Sequence, residues 1–117
     1  MALDPITPAL LLKALDGLSL RAEATAQNIA NANSPGYRPL AVTFEDALQQ
    51  AAARRDPAAI DAVQPRIGLA LRDDGTSELR LDLEMATATQ TATRYAALVE
   101  LLNRRLQIEA LSVSGSR

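Results

Sequence analysis

Apolar residues in the first third of the chain recur at alternating intervals of three and four positions. They form a first heptad stripe, which comprises Leu11, Leu15, Leu18, Ala22, Thr25 and Ile29. A repeat of this kind places all its members on one face of an α-helix. Thr7 is suited to cap the helix and Pro8 to occupy its first position. The pattern predicts a helix over residues 8–33, roughly 39 Å long at 1.5 Å per residue.

The last third of the chain carries a second heptad stripe. Its members are Met85, Ala88, Ala92, Tyr95, Val99, Leu102 and Leu106. We expect a second long helix that begins near Asp82, whose side chain is a good N-cap, and ends near Leu111. Threonines at positions 87, 89, 91 and 93 alternate as in a β-strand. The interleaved alanines and the sustained heptad repeat favour the helix.

The segment between the stripes has a different pattern. The residues from Thr43 to Asp46 can cap a short helix that runs to Arg55. Asp56-Pro57 breaks this helix, and residues 57–63 can add one or two turns. Beyond them, apolar residues alternate on both sides of Asp73-Asp74-Gly75: Ile67, Leu69 and Leu71 before it, Leu79 and Leu81 after it. That alternation around a turn predicts a β-hairpin.

These elements predict a mainly α fold. The long N- and C-terminal helices pair as an antiparallel coiled-coil hairpin, and a small irregular middle lobe holds a short helix and the β-hairpin. The chain divides into an N-terminal helix over residues 1–34, a middle lobe over 35–81 and a C-terminal helix with its tail over 82–117. We expect these parts to form one structural unit.

The helices carry more apolar residues than one pairing can bury. Leu98, Leu101 and Ile108 lie beside the second stripe, and Leu12 and Leu20 flank the first. A self-contained hairpin or bundle is the simpler interpretation of the two stripes. The surplus instead favours packing against other chains or against the middle lobe.

Composition argues against several kinds of chemistry. The chain has neither histidine nor cysteine, which removes the commonest general base and all thiolate sites. A net charge of −2 and the lack of a basic stripe argue against nucleic-acid binding. Neighbouring carboxylates, such as Asp73 and Asp74, are expected to be solvated or capping. We therefore expect no enzyme activity, no cofactor, no metal and no small-molecule substrate.

The sequence from Ala30 to Arg38 predicts a sharp turn after the first helix. Asn33 is suited to end the helix in left-handed geometry. Ser34 precedes a proline, and Pro35-Gly36 fits the centre of a type II turn. On the helix before the turn, Arg21, Asn28 and Asn31 share one polar stripe. That stripe is either a solvated face or a set of groups that bond neighbouring subunits.

The run Ala-Asn-Ala-Asn-Ser-Pro-Gly-Tyr at residues 30–37 resembles the N-terminal signature of the bacterial flagellar rod and hook proteins. The matching signature residues are Asn31, Asn33, Ser34, Pro35, Gly36 and Tyr37. The C-terminal sequences at 81–85 and 95–106 are most similar to short, proximal-rod members of that family. The sequence departs from the family pattern in two places. Residues 76–80 stand where the family usually has an asparagine-rich run, and the Ala/Thr run before Tyr95 stands where it has a glutamine-rich stretch.

The resemblance implies a non-enzymatic structural subunit that polymerises through its terminal helices, with the middle segment outside. It implies export through the flagellar export apparatus without a cleaved signal peptide, and assembly in the periplasmic rod. The implied partners are other rod proteins, the membrane-ring protein, the rod-adaptor protein and further copies of the chain. The residues that pack the helices would then be Leu11, Leu15, Leu18, Ala22, Ile29, Met85, Tyr95, Val99, Leu102 and Leu106, with Arg21 and Asn28 as polar contacts between subunits.

Two other functions are compatible with the sequence. A cytoplasmic coiled-coil adaptor or chaperone would use the same stripes to bind a partner helix, and it would form a stable dimer. The start of the chain lacks the basic and apolar regions of a secretory signal, which by itself suits the cytoplasm. A small helical enzyme is disfavoured by the missing histidine and cysteine.

Overall fold

A computed structural model describes residues 4–71 and 78–115 of the chain. The elements in chain order are α1 (Ile6–Ala30), β1 (Leu40–Thr43), α2 (Glu45–Ala53), α3 (Pro57–Asp61), β2 (Arg66–Leu69) and α4 (Leu81–Gly115). The chain is mainly helical, and its long terminal helices pack together. The molecule is elongated, with principal extents of 63 × 25 × 17 Å. The predicted fold class is confirmed.

The two terminal helices run antiparallel. At one end the Asn28 amide donates to the Glu84 carboxylate at 3.0 Å. At the other end the Arg105 guanidinium donates to the main-chain carbonyl of Asp4 at 2.8 Å. Because α4 has 35 residues and α1 has 25, α4 continues past the start of α1.

The start of α1 differs from the prediction that Thr7 caps the helix. The helix begins at Ile6, and the Asp4 carboxylate accepts hydrogen bonds from the Ile6 amide at 2.8 Å and from the Thr7 hydroxyl at 2.7 Å. An ionised carboxylate is a stronger acceptor for the free amides of a first turn than a hydroxyl is. Asp4 therefore takes the capping role, one turn earlier than expected.

The end of α1 also differs from the prediction. The helix ends at Ala30, and Asn31 occupies the cap position with φ −104°. Within the described ranges, positive φ occurs only at Gly36 and Arg55, so the left-handed conformation predicted for Asn33 is wrong. The Asn31 side chain donates to the Gln27 carbonyl at 2.9 Å. This bond satisfies an end carbonyl of the helix without any left-handed residue.

The C-terminal helix is longer than the sequence predicts. It begins at Leu81, one residue before the expected cap at Asp82, and continues to Gly115 rather than ending near Leu111. The hydroxyls of three alternating threonines donate to the carbonyls four residues earlier, namely Thr87 to Leu83, Thr89 to Met85 and Thr93 to Thr89. These bonds pair the hydroxyls within the helix, which explains how a strand-like pattern is accommodated there.

The predicted hairpin around Asp73-Asp74-Gly75 is wrong in its pairing. Strand β2 pairs with β1 in antiparallel register, from Leu40 opposite Leu69 to Thr43 opposite Arg66. Leu81 belongs instead to α4. The expected turn itself lies outside the described residues. Strand β1 follows the turn after α1 and lies close to the first helix. Its unpaired main-chain N–H and C=O groups form an edge with which β2 can pair.

The short helices of the middle segment largely match the prediction. Helix α2 covers Glu45–Ala53, although its N-cap residue, Phe44, makes no side-chain capping bond. Asp56 separates α2 from α3, and its carboxylate accepts from the Ala58 amide at 3.0 Å. Pro57 occupies the first turn of α3, where a missing N–H costs nothing.

The apolar core lies between α1 and the middle segment rather than between the two long helices. Its buried apolar residues are Leu18, Ala24, Val42, Phe44, Leu48, Ala51, Ile60 and Val63. Helix α1 packs against α4, β1, α2 and α3, so it is the central element of the fold. Helix α4 adds the partly buried Leu98 to this core. Much of the apolar surface of α4 is therefore left outside it.

Candidate assembly surface and signature turn

The signature sequence folds into a tight turn after α1. The Tyr37 amide donates to the Ser34 carbonyl at 3.2 Å, which closes a four-residue turn. Proline occupies its second position, and Gly36 has φ +75° at its third. These are the features of a type II turn, as the sequence predicts. Pro35 and Gly36 are both exposed, so this turn presents its tip to solvent.

The side chains of Asn31 and Ser34 stabilise the turn next to the end of α1. The Ser34 hydroxyl donates to the Asn31 Oδ1 at 3.2 Å, and the Ser34 amide donates to the Asn31 carbonyl at 3.0 Å. Asn33 is exposed between them. Asn31 and Ser34 therefore have a local structural role, in which short polar side chains satisfy the main chain of a turn.

Asn28 is the polar centre of this region and has no exposed surface. Its Nδ2 donates to the Leu40 carbonyl at 2.8 Å and to the Glu84 carboxylate at 3.0 Å. Its Oδ1 accepts from the Leu40 amide at 2.9 Å and from the Tyr37 hydroxyl at 2.8 Å. A carboxamide has two donor hydrogens and two acceptor lone pairs, so all are used. Asn28 thereby fixes the turn exit, β1 and α4 to α1.

Arg21 has a similar role two turns earlier on the same face of α1. Its guanidinium makes two hydrogen bonds to the Glu45 carboxylate, each of 2.7 Å, and a third to the Val42 carbonyl at 2.7 Å. It also lies over the Phe44 ring, 4.9 Å from the ring centroid. The hydrogen bond from Arg21 lowers the pKa of Glu45. Such bidentate pairing fixes the geometry of both side chains.

The prediction that Arg21 and Asn28 bond neighbouring subunits is therefore wrong, as is the alternative of a solvated face. Both side chains use their polar groups within the chain. Their partners, Glu84 and Glu45, were not expected from the sequence. The Asn28–Glu84 contact spans 56 residues, so helical spacing gave no signal for it.

The least exposed face of α4 coincides only in part with the second heptad stripe. Its residues with reduced exposure include Glu84, Thr87, Thr91, Leu98 and Arg105, each one position before a stripe member, and the stripe members Ala88, Val99 and Leu102. The buried face is therefore rotated from the stripe by only part of the roughly 100° that separates successive residues. The polar contacts of Glu84 and Arg105 hold this rotation at the two ends.

The rotation separates the predicted packing residues into three groups. Leu18 is buried in the core, and Leu11, Leu15, Ile29, Val99 and Leu102 are half-buried. Met85, Tyr95, Leu106 and Ala22 are exposed, so they are not buried between the two helices of one chain, and their role in assembly stays a prediction. Ala22, Ile29 and Tyr95 line a shallow groove of about 420 Å³ along one side of the helix pair.

A second groove of about 420 Å³ lies where α1, α2 and α4 meet. We call it the three-helix groove. Its apolar walls are formed by Leu10, Ala14, Phe44, Leu48, Ala97 and Leu98, and its polar residues are Glu45, Gln49 and Arg94. Apolar side chains left open to water at the junction of several elements are typical of interaction surfaces.

The last part of α4, residues 106–115, forms a terminal extension beyond Arg105. Its large apolar side chains are Leu106, Ile108, Leu111 and Val113, with exposed fractions from 52% at Leu106 to 71% at Leu111. Arg105 reaches Asp4, which precedes the first residue of α1. The extension therefore projects apolar side chains past the end of the helix it pairs with.

The described residues offer no arrangement suited to metal or membrane-spanning roles. Residues 4–71 and 78–115 contain no group of three or more His, Cys, Asp or Glu side chains placed to hold a metal ion. Over the same ranges, no helix combines the length and apolar content needed to cross a membrane.

Neither the models of known protein families nor the characterised proteins match this chain. The family resemblance therefore rests on the sequence runs at 30–37, 81–85 and 95–106. The geometry contributes a type II turn at the signature and exposed apolar surfaces on α4.

Proposed function

We propose that this chain is a structural, non-enzymatic subunit of the proximal rod of the bacterial flagellar basal body, of the FlgB type. It polymerises through its terminal helices, and the resulting array transmits torque. Its partners are further copies, other rod proteins, the membrane-ring protein and the rod-adaptor protein. It reaches the periplasmic rod through the flagellar export apparatus.

The observation that carries this proposal is the apolar surface of α4 outside the core. Met85, Leu101, Ile108 and Leu111 are all half-exposed or more and lie on more than one side of the helix. An isolated monomer gains no stability from such side chains, whereas a helix with several neighbours buries them. Together with the signature at residues 30–37, this surface supports an axial subunit rather than a self-contained hairpin.

The first test is electron microscopy of basal bodies from a strain that lacks this gene, together with soft-agar motility. We expect the rod and filament to be missing and the membrane ring to remain, and we expect the intact gene to restore both. Complete flagella in the deletion strain would overturn the proposal.

Complementation with point variants links this phenotype to α4. Leu101→Asp places a charge on an exposed apolar position of α4 and should fail to restore motility. Leu69→Asp is the matched control, because Leu69 is exposed to a similar extent on β2 of the outer middle segment. Both variants should be produced at the wild-type level. Equal motility of the two would contradict the role assigned to α4.

The same exposed surface also suits a cytoplasmic adaptor or chaperone that binds one partner helix. That function requires a folded dimer or a stable one-to-one complex, with the apolar face covered in solution. Sedimentation of the purified full chain separates the alternatives, since a rod subunit is expected to be monomeric when dilute. A tight dimer at micromolar concentration would favour the adaptor.

A further inference from the structure

We propose that the terminal extension of one copy packs into the three-helix groove of a neighbouring copy. This contact rests on the proposed function as a polymerising subunit, and it specifies which two surfaces meet. The groove and the extension are different surfaces of the same chain. A contact between them is heterologous, so it leaves one free groove and one free extension at the ends of any array.

The groove selects an apolar, uncharged occupant. Leu10, Leu48 and Leu98 contribute to its apolar walls. The charged groups beside it interact with one another, because Glu45 accepts from Arg21 at 2.7 Å and lies 3.6 Å from Arg94, and the side chains of Glu45 and Arg94 are about half exposed. A charged side chain placed against the apolar walls would have to lose its hydration, whereas an apolar side chain would not.

The extension has the complementary character. Glu109 is the only charged residue among residues 106–115, and it pairs with Arg105 on the preceding turn at 3.4 Å. Ile108 and Leu111 are three positions apart, so they share one side of the helix. The extension is therefore a neutral helix that presents large apolar side chains, which is the type of occupant the groove favours.

The extension cannot occupy the groove of its own chain. Leu98 lines the groove, and Leu111 lies thirteen residues further along the same continuous helix. At 1.5 Å per residue, their separation along the axis is roughly 20 Å. Occupation of the groove by this segment therefore requires a second copy.

A single contact of this kind is small. The exposed apolar side chains of the extension supply a few hundred Å², well below the roughly 1,200 Å² of a stable interface. We expect the chain to be monomeric when dilute, and the contact to hold only at high local concentration or within an array of many contacts.

Cysteine cross-linking tests the contact directly, because the chain contains no cysteine. The variant Gln49→Cys/Leu111→Cys places one thiol in the groove and one on the extension. The matched control is Gln50→Cys/Leu111→Cys, since Gln50 is the next residue of α2, is also exposed, and does not line the groove. Purified full-length proteins are concentrated, oxidised and separated without reductant.

We expect Gln49→Cys/Leu111→Cys to form a ladder of dimers, trimers and longer chains, at least fivefold above the Gln50 control. Adding Ile108→Asp should abolish the ladder, whereas adding Leu71→Asp outside both surfaces should leave it unchanged. Equal ladders from the two cysteine pairs would overturn the proposal. So would efficient dimers from Leu111→Cys alone, because they would show that two extensions pair with each other.

The outcome is separable from that of the proposed function. A ladder together with complete flagella in the deletion strain would keep the contact and reject the rod function. No ladder together with loss of the rod would keep the rod function and reject this contact.

Discussion

Gly17 gives the sharpest test of how α1 packs against the middle segment. It is buried in α1, and a Cβ atom at this position would lie 2.5 Å from the Cδ1 of Phe44 and 2.6 Å from its Cε1 and Cγ. Ring atoms cannot be approached so closely without displacement. The ring is itself held in the core and covered by Arg21. Gly17→Ala therefore forces a shift in a well-packed region.

The expected magnitude follows from two opposing effects. Replacing glycine by alanine inside a helix ordinarily stabilises a protein by about 1 kcal/mol. Overpacking of a core costs about 1–3 kcal/mol, and a clash with three ring atoms belongs in the upper part of that range. We expect Gly17→Ala to lower the free energy of unfolding by about 1–2 kcal/mol, measured by urea denaturation followed by circular dichroism.

Two further variants identify the cause. Gly68→Ala is the control, because no atom lies within 4 Å of its added Cβ, and we expect a change within about 0.5 kcal/mol. Phe44→Leu should destabilise the Gly17→Ala protein less than it destabilises the wild type, with a coupling of about 1 kcal/mol. A stabilised Gly17→Ala protein would refute the close packing of α1 against Phe44.

Three other predictions follow from the polar contacts and the main chain. Asn28→Leu removes four hydrogen bonds around buried groups and should cost about 3 kcal/mol or more in urea unfolding, whereas the more exposed Asn31→Ala should cost about 1 kcal/mol. Because Arg21 lowers the pKa of Glu45 from its ordinary 4.5, this pair stabilises the folded state above that pH, and its contribution is lost as the pH falls through the lowered pKa. The stability difference between the wild type and Glu45→Gln should therefore shrink between about pH 6 and about pH 3, and a constant difference would contradict this. Arg55→Gly relieves a residue at φ +53° and should raise the melting temperature, with a gain of about 0.5–1 kcal/mol, while Arg54→Gly at φ −76° should lower it.

The sequence was sufficient to predict the two long helices, since each carries a repeat that is local to the chain. It was also sufficient for the turn at Ser34–Tyr37, because proline and glycine restrict the main chain directly. The strand at Leu40–Thr43 was missed because it has only four residues, of which only Val42 and Thr43 are β-branched. So short a segment shows no clear alternation of apolar and polar residues. Its partner in β2 depends on a contact across the chain rather than on local pattern.

The rotation of α4 shows a different limit of sequence reasoning. The heptad stripe predicts which side of a helix is most apolar, and that side was expected to face α1. The rotation is instead held by Glu84 with Asn28 and by Arg105 with Asp4, and these pairs have no characteristic spacing. Three members of the stripe, Ala88, Ala92 and Tyr95, consequently line the open groove along the side of the helix pair.

The position of the core has a consequence for how the chain folds. Its buried apolar side chains all lie between Leu18 and Val63, so the contacts that form it span modest distances in sequence. Helix α4 adds only the partly buried Leu98 to this core and is otherwise joined to α1 by contacts such as the one between Glu84 and Asn28. Its amides should therefore exchange with deuterium through local opening, faster than those of α1 around Leu18. We expect a subunit built in this way to form its core first and to dock its last helix afterwards, when that helix can pack against its own chain or against neighbouring chains.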